Sequence, residues 1–147
     1  MKKIFSAILL FFLTLSLGAQ IVDPVKWTFE QNAISKTEAE LVFKAVIEKP
    51  YHIYGMDIPD DGPIPTEVSF DEIKGATLVG DVFVHPSSKP VKEFDNTFNM
   101  ELTWYKGEVL FVQKIKITDR KNLFISGNVS FMSCNDESCL PPKKVEF

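Results

Sequence analysis

The sequence predicts an all-β fold, an antiparallel β-sandwich preceded by a cleavable signal peptide, and three observations predict it. Apolar and polar residues alternate with period two through most segments after residue 19, turn-forming residues interrupt them at short intervals, and no segment carries a convincing helical stripe. Seven or so short strands spaced in this way over about 130 residues build a two-layer antiparallel fold.

Residues 1–19 come first, with Lys2-Lys3, an apolar run from Ile4 to Leu17, and Gly18-Ala19 before Gln20. A charged start, an apolar middle and small residues at the cut make a Sec-type signal peptide, with cleavage expected after Ala19. The apolar run is too short to favour a spanning anchor, and no cysteine stands near the cut to accept a lipid. The expected product is a soluble exported domain over residues 20–147, with no stable membrane insertion after cleavage. Its length suits one domain with its own core. Without Lys2 and Lys3, 14 basic residues face 20 acidic ones, a net charge of about −6 that argues against a nucleic-acid partner.

The strands follow in order. Residues 25–33 are the first candidate, and residues 35–40 have the composition for one helical turn before the second. There Leu41, Phe43, Ala45 and Ile47 alternate with Val42, Lys44, Val46 and Glu48. Further candidates are 66–70, 77–84, 100–105 and 123–133. Val109, Phe111, Ile115 and Ile117 share a face across Gln113, with Lys114 and Lys116 opposite. Both long alternations describe strands with one buried face. Turn signals separate the candidates: Pro50, Asp60-Asp61-Gly62-Pro63, Ser87 to Pro90, Lys106-Gly107 and residues 119–122. Two connections stand out. Residues 57–65 carry Pro59, Pro63 and Pro65 and form a stiff crossover, and residues 86–98 look like a polar loop that holds Phe94 and Phe98. An aromatic in a polar loop needs something to cover, ordinarily the edge of the core.

Chemistry concentrates in Phe131-Met-Ser-Cys134-Asn-Asp-Glu-Ser-Cys139-Leu-Pro-Pro142, which holds the only two cysteines. In an exported chain such a pair is expected to be oxidised. A loop this short restrains the unfolded chain by only about 2 kcal/mol, less than a bond joining distant segments. The residues between the cysteines are polar and turn-prone, so both sulfurs are expected near solvent. Asp136 and Glu137 would raise the thiol pKa and slow unassisted attack. Spacing alone leaves both a working disulfide and a hairpin-closing staple open. His52 and His85 are isolated from the cysteines and no paired-ligand spacing of the zinc type occurs, so neither a metal nor another cofactor is expected. No nucleophile motif supports hydrolysis.

From about Val25 to Phe147 the chain resembles the N-terminal periplasmic domain of the transmembrane thiol:disulfide reductase DsbD, an immunoglobulin-like module also catalogued as a disulfide bond corrector domain. Three stretches carry the resemblance: Tyr51-His52-Ile53-Tyr54, Gly62-Pro63-Ile64-Pro65-Thr66, and Cys134 to Pro142. It implies an immunoglobulin-like sandwich acting as a thiol:disulfide oxidoreductase in the periplasm. The cysteine pair would take electrons from a thioredoxin-like or transmembrane thiol donor and pass them to oxidised periplasmic proteins. It further implies that Cys139 attacks, that Cys134 resolves, that Glu93 and Phe94 shield the pair, and that His52 and Tyr54 line the same site.

The chain departs from that pattern in places. Four residues rather than five separate the cysteines, Lys92 precedes Glu93 where the family has a second acid, and Asp95 follows Phe94. With neither spanning helices nor a thioredoxin-like domain before Phe147, the electron source is expected to be another polypeptide. The competing expectation is a non-catalytic immunoglobulin-like binding or structural module, its disulfide only closing a hairpin and Phe94 and Phe98 forming the core edge.

Overall fold

The computed structural model describes residues 22–96 and 98–147. The signal peptide and its cut after Ala19 lie outside the described residues. Three antiparallel sheets form the fold. The first runs β1-β2-β8-β5, from Val25–Ala33 (β1), Glu38–Ile47 (β2), Gly107–Ile117 (β8) and Ala76–Val84 (β5). The second runs β10-β3-β7-β6, from Ser133–Cys134 (β10), His52–Tyr54 (β3), Met100–Tyr105 (β7) and Val91–Asp95 (β6). The third runs β11-β9-β4, from Lys143–Glu146 (β11), Phe124–Phe131 (β9) and Glu67–Lys74 (β4). Because β9 continues into β10, the second and third sheets share one layer opposite the first.

The core between these layers follows from the alternation. Phe43, Ala45 and Ile47 of β2 and Val109 and Phe111 of β8 meet Ile53 of β3, Tyr105 of β7, and Val129 and Phe131 of β9 in one buried cluster. Gln113 interrupts the apolar face of β8 yet is buried, because its Nε2 donates to the carbonyls of Val79 (3.2 Å) and Gly80 (3.1 Å) where β5 bulges away from the ladder. A Cβ at Gly127 would run into the Ser69 carbonyl oxygen and the Phe147 ring, so β4, β9 and β11 close tightly only over a glycine.

Four expectations need correcting. Residues 35–40 make no helical turn: Ile34 N and Ser35 N both donate to the Glu38 carbonyl, which closes a hairpin between β1 and β2. The loop expected over 86–98 contains β6, paired with β7 from Val91↔Trp104 to Asp95↔Met100. As an edge strand exposed through Lys92, Glu93 and Phe94, it has no buried alternation to betray it. The strand expected at 66–70 continues to Lys74 across a register shift at Phe70/Glu72 that breaks period two. The strand expected over 123–133 is divided: β9 pairs with β4 and β11, and after Met132 the chain turns to pair with β3. That division carries the first cysteine out of one sheet and into the next.

Candidate functional site

The site is built where β10 meets β3. Ser133 pairs with Ile53 and Cys134 with His52, so the first cysteine enters beside the Tyr51-His52-Ile53-Tyr54 stretch. The chain then reverses through a tight hairpin. Asn135 N donates to the Ser138 carbonyl (2.9 Å), and the Asn135 side-chain oxygen accepts from the backbone N of Glu137 (2.9 Å) and Ser138 (2.8 Å). This is an asparagine turn of the kind the polar tip foretold. Leu140 N donates to the Ser133 carbonyl (2.8 Å), and the two cysteines face each other at a Cα–Cα distance of 4.0 Å, joined as a disulfide.

The pair is asymmetric, which corrects the expectation that both sulfurs lie near solvent. Cys134 is 2% exposed and packs with Tyr54 and Leu102, whereas Cys139 is exposed at the end of the turn. A cleft of about 370 Å³ opens over them and brings together every candidate site residue: Cys134, Cys139, Glu93, Phe94, His52 and Tyr54. Trp104, Asp95 and the hairpin tip also line it. Phe94 is 59% exposed, so it stands at the mouth and does not point into the sandwich. Phe98 behaves differently, packing at the core edge with its ring centroid 6.2 Å from that of Tyr54 in an edge-on contact.

The floor of the cleft is aromatic. The His52 ring lies 4.6 Å from Trp104 and edge-on to Tyr54 at 5.3 Å, centroid to centroid. Tyr54 is held from both ends: its carbonyl accepts from Thr66 Oγ1 at 2.7 Å and its hydroxyl donates to the Asp95 carboxylate. Asp95 also accepts from Phe98 N at 3.2 Å, which closes the turn from β6 towards β7. Burial above all, with the adjacent Asp95 charge, pushes the Tyr54 phenol up to about 12. Burial lowers the His52 pKa although Asp136 and Asp95 pull it the other way, so the imidazole is mainly neutral at pH 7. Asp95 and Trp104 were not anticipated as site residues. Asp95 stood beside Phe94 in sequence, but only the hidden strand β6 shows that it faces Tyr54, and Trp104 carries no signal beyond an aromatic in a strand.

Among the described residues no three His, Cys, Asp or Glu side chains converge to hold a metal ion. The arrangement instead offers a disulfide with one exposed cysteine, backed by a buried one, in a polar cleft with an aromatic base.

A family model described as thiol:disulfide interchange protein DsbD, N-terminal, matches residues 19–147. Among solved structures the fold is similar to the N-terminal periplasmic domain of ScsB from Proteus mirabilis, with a TM-score of 0.58 at 14% identity, covering 86% of this chain and 47% of that one. The chain therefore spans about half the length of that structure. The N-terminal domain of Neisseria meningitidis DsbD in its reduced form is matched at a TM-score of 0.42 and 16% identity over 82% of each chain. No curated protein matches the chain.

Proposed function

The chain belongs to the DsbD N-terminal family, and from that premise we propose that it is an exported thiol-disulfide exchange module that carries reducing equivalents to periplasmic proteins through Cys134 and Cys139. The observation that supports this most is the unequal burial of the two cysteines within one cleft. A thiolate of a thioredoxin-like or transmembrane donor attacks the Cys139 sulfur. The Cys134–Cys139 bond breaks, and Cys134 leaves as a thiolate that takes a proton. The donor's second thiolate then attacks its own sulfur in the mixed disulfide and releases Cys139, so the donor is oxidised and this domain reduced by two electrons. Towards an oxidised acceptor the order reverses: the Cys139 thiolate attacks, and Cys134 resolves the mixed disulfide from behind.

Two measurements test this reading. Equilibrating the purified protein in graded dithiol buffers, alkylating free thiols and weighing the product gives the midpoint potential. The expected value is more oxidising than about −300 mV, and a lower one marks a structural disulfide and returns the domain to a stapled binding module.

The second concerns the shield. Glu93 and Phe94 both line the cleft and Phe94 is more than half exposed there, which supports a role for it as a partial shield over Cys139. Phe94→Ala is expected to speed reduction by dithiothreitol about three- to tenfold by opening access to the sulfur, without moving the midpoint potential. Unchanged stopped-flow rates would remove the shielding role.

A further inference from the structure

Two elements far apart in sequence give the cleft one sign of charge. Strand β6 contributes Glu93 and Asp95, and the hairpin between the cysteines contributes Asp136 and Glu137. No lysine or arginine is among the described residues that line it. Glu93, Asp136 and Glu137 are exposed and join none of the ion pairs found among the described residues, which link Asp23 to Lys26 and Lys143, Lys44 to Glu108, and Lys74 to Glu72. Lys106 is nearby but stays outside the lining, its Nζ 5.3 Å above the Trp104 ring. The attacking group in disulfide exchange is itself an anion, so every thiolate that reaches Cys139 must enter a negative potential in a partly enclosed space, where such potentials are focused.

Resting on the exchange reading above, we propose that these carboxylates make the exchange charge-selective: the fitting partner is a protein whose reactive cysteine lies in a positively charged surface, and anionic low-molecular-weight thiols are turned away. A cation beside the incoming sulfur offsets the repulsion. It also stabilises the thiolate that departs from Cys134, so the free domain is slow and the docked one fast. The exposed Phe94 ring supplies an apolar contact within the same acidic rim.

The test uses three small monothiols that differ in charge: cysteamine (cationic), 2-mercaptoethanol (neutral) and 2-mercaptoethanesulfonate (anionic). Each rate of opening of the Cys134–Cys139 bond is divided by that thiol's rate towards a small uncharged disulfide, which cancels intrinsic reactivity. At an ionic strength of about 10 mM the normalised cysteamine rate should exceed the sulfonate rate at least about tenfold, and at about 1 M the ratio should fall below about threefold. Asp136→Asn combined with Glu137→Gln should reduce the low-salt ratio. A ratio near one at low salt, or one indifferent to salt, overturns charge selection while leaving exchange itself standing. If the bond resists all three thiols and excess dithiothreitol alike, the exchange reading falls and the selectivity with it; opening by neutral dithiothreitol but not by cysteamine overturns charge selection alone.

Discussion

Cys139→Ser abolishes capture of a disulfide substrate, and Cys134→Ser arrests the reaction at the mixed disulfide. This contrast is the largest effect expected at the site. With serine at position 139 the only remaining sulfur is that of Cys134, a residue 2% exposed and packed against Tyr54 and Leu102. An in-line approach to it is blocked, and reaction of the reduced variant with 2,2′-dithiodipyridine should fall by about a thousandfold or more, as when a nucleophile is removed. With serine at position 134, Cys139 still attacks but nothing resolves the product, so a partner or probe stays covalently attached and appears as added mass. Both variants lose the same short-loop disulfide, at a common cost of about 2 kcal/mol. Their difference therefore reports position and not stability. Equal reactivity of the two single-cysteine variants, or faster capture by Cys134, would reverse the assigned roles.

The legible part of this protein was the part governed by alternation and turn chemistry. β1 and β7 stand where period two put them, and the buried face of β8 runs through Val109, Phe111, Ile115 and Ile117 with Gln113 absorbed by the carbonyls of the β5 bulge. The hairpin at Cys134–Cys139 followed from Asn135, whose side chain caps the turn. Strand β6 was invisible because an edge strand needs only one partner and buries little, so its sequence is free to look like a loop. Missing it also hid Asp95, since the carboxylate reaches Tyr54 only through the pairing of β6 with β7. The unequal burial of the cysteines was beyond local reasoning too. It depends on the turn of the chain after Met132, which buries Cys134 against Tyr54 and leaves Cys139 outside.

The same arrangement explains why the aromatic floor is not acid-base machinery. His52 stacks on Trp104 and is held neutral by burial, so it lends no positive charge to a Cys139 thiolate at neutral pH. Asp136 and Glu137 add negative charge on the solvent side. In the isolated domain the acidic rim thus opposes the thiolate and His52 adds no cation to offset it, so activation has to arrive with the partner.

Tyr54→Ala should cost about 3–5 kcal/mol, the range for removing a fully buried aromatic ring. Tyr54 is 2% exposed, supports Cys134 and Leu102 from below, and meets His52 and Phe98 edge-on, so its loss leaves a cavity directly beneath the disulfide. Tyr54→Phe keeps the ring and deletes only the hydroxyl bond to Asp95, with an expected cost of about 1–2 kcal/mol. pH separates the two contributions. The folded-state phenol is pushed up to about 12 from an ordinary value of 10.0, so folding favours the protonated form. The stability it confers is whole below pH 10 and is lost as pH rises through 12. Denaturant midpoints of wild type and Tyr54→Phe should therefore converge between about pH 10 and 12. Tyr105, raised by its own burial and by Asp57, contributes the same alkaline loss to both proteins and cancels in the comparison. A constant gap between the two curves across that window would mean that folding does not raise the Tyr54 phenol, so that neither its burial nor its contact with Asp95 holds it protonated.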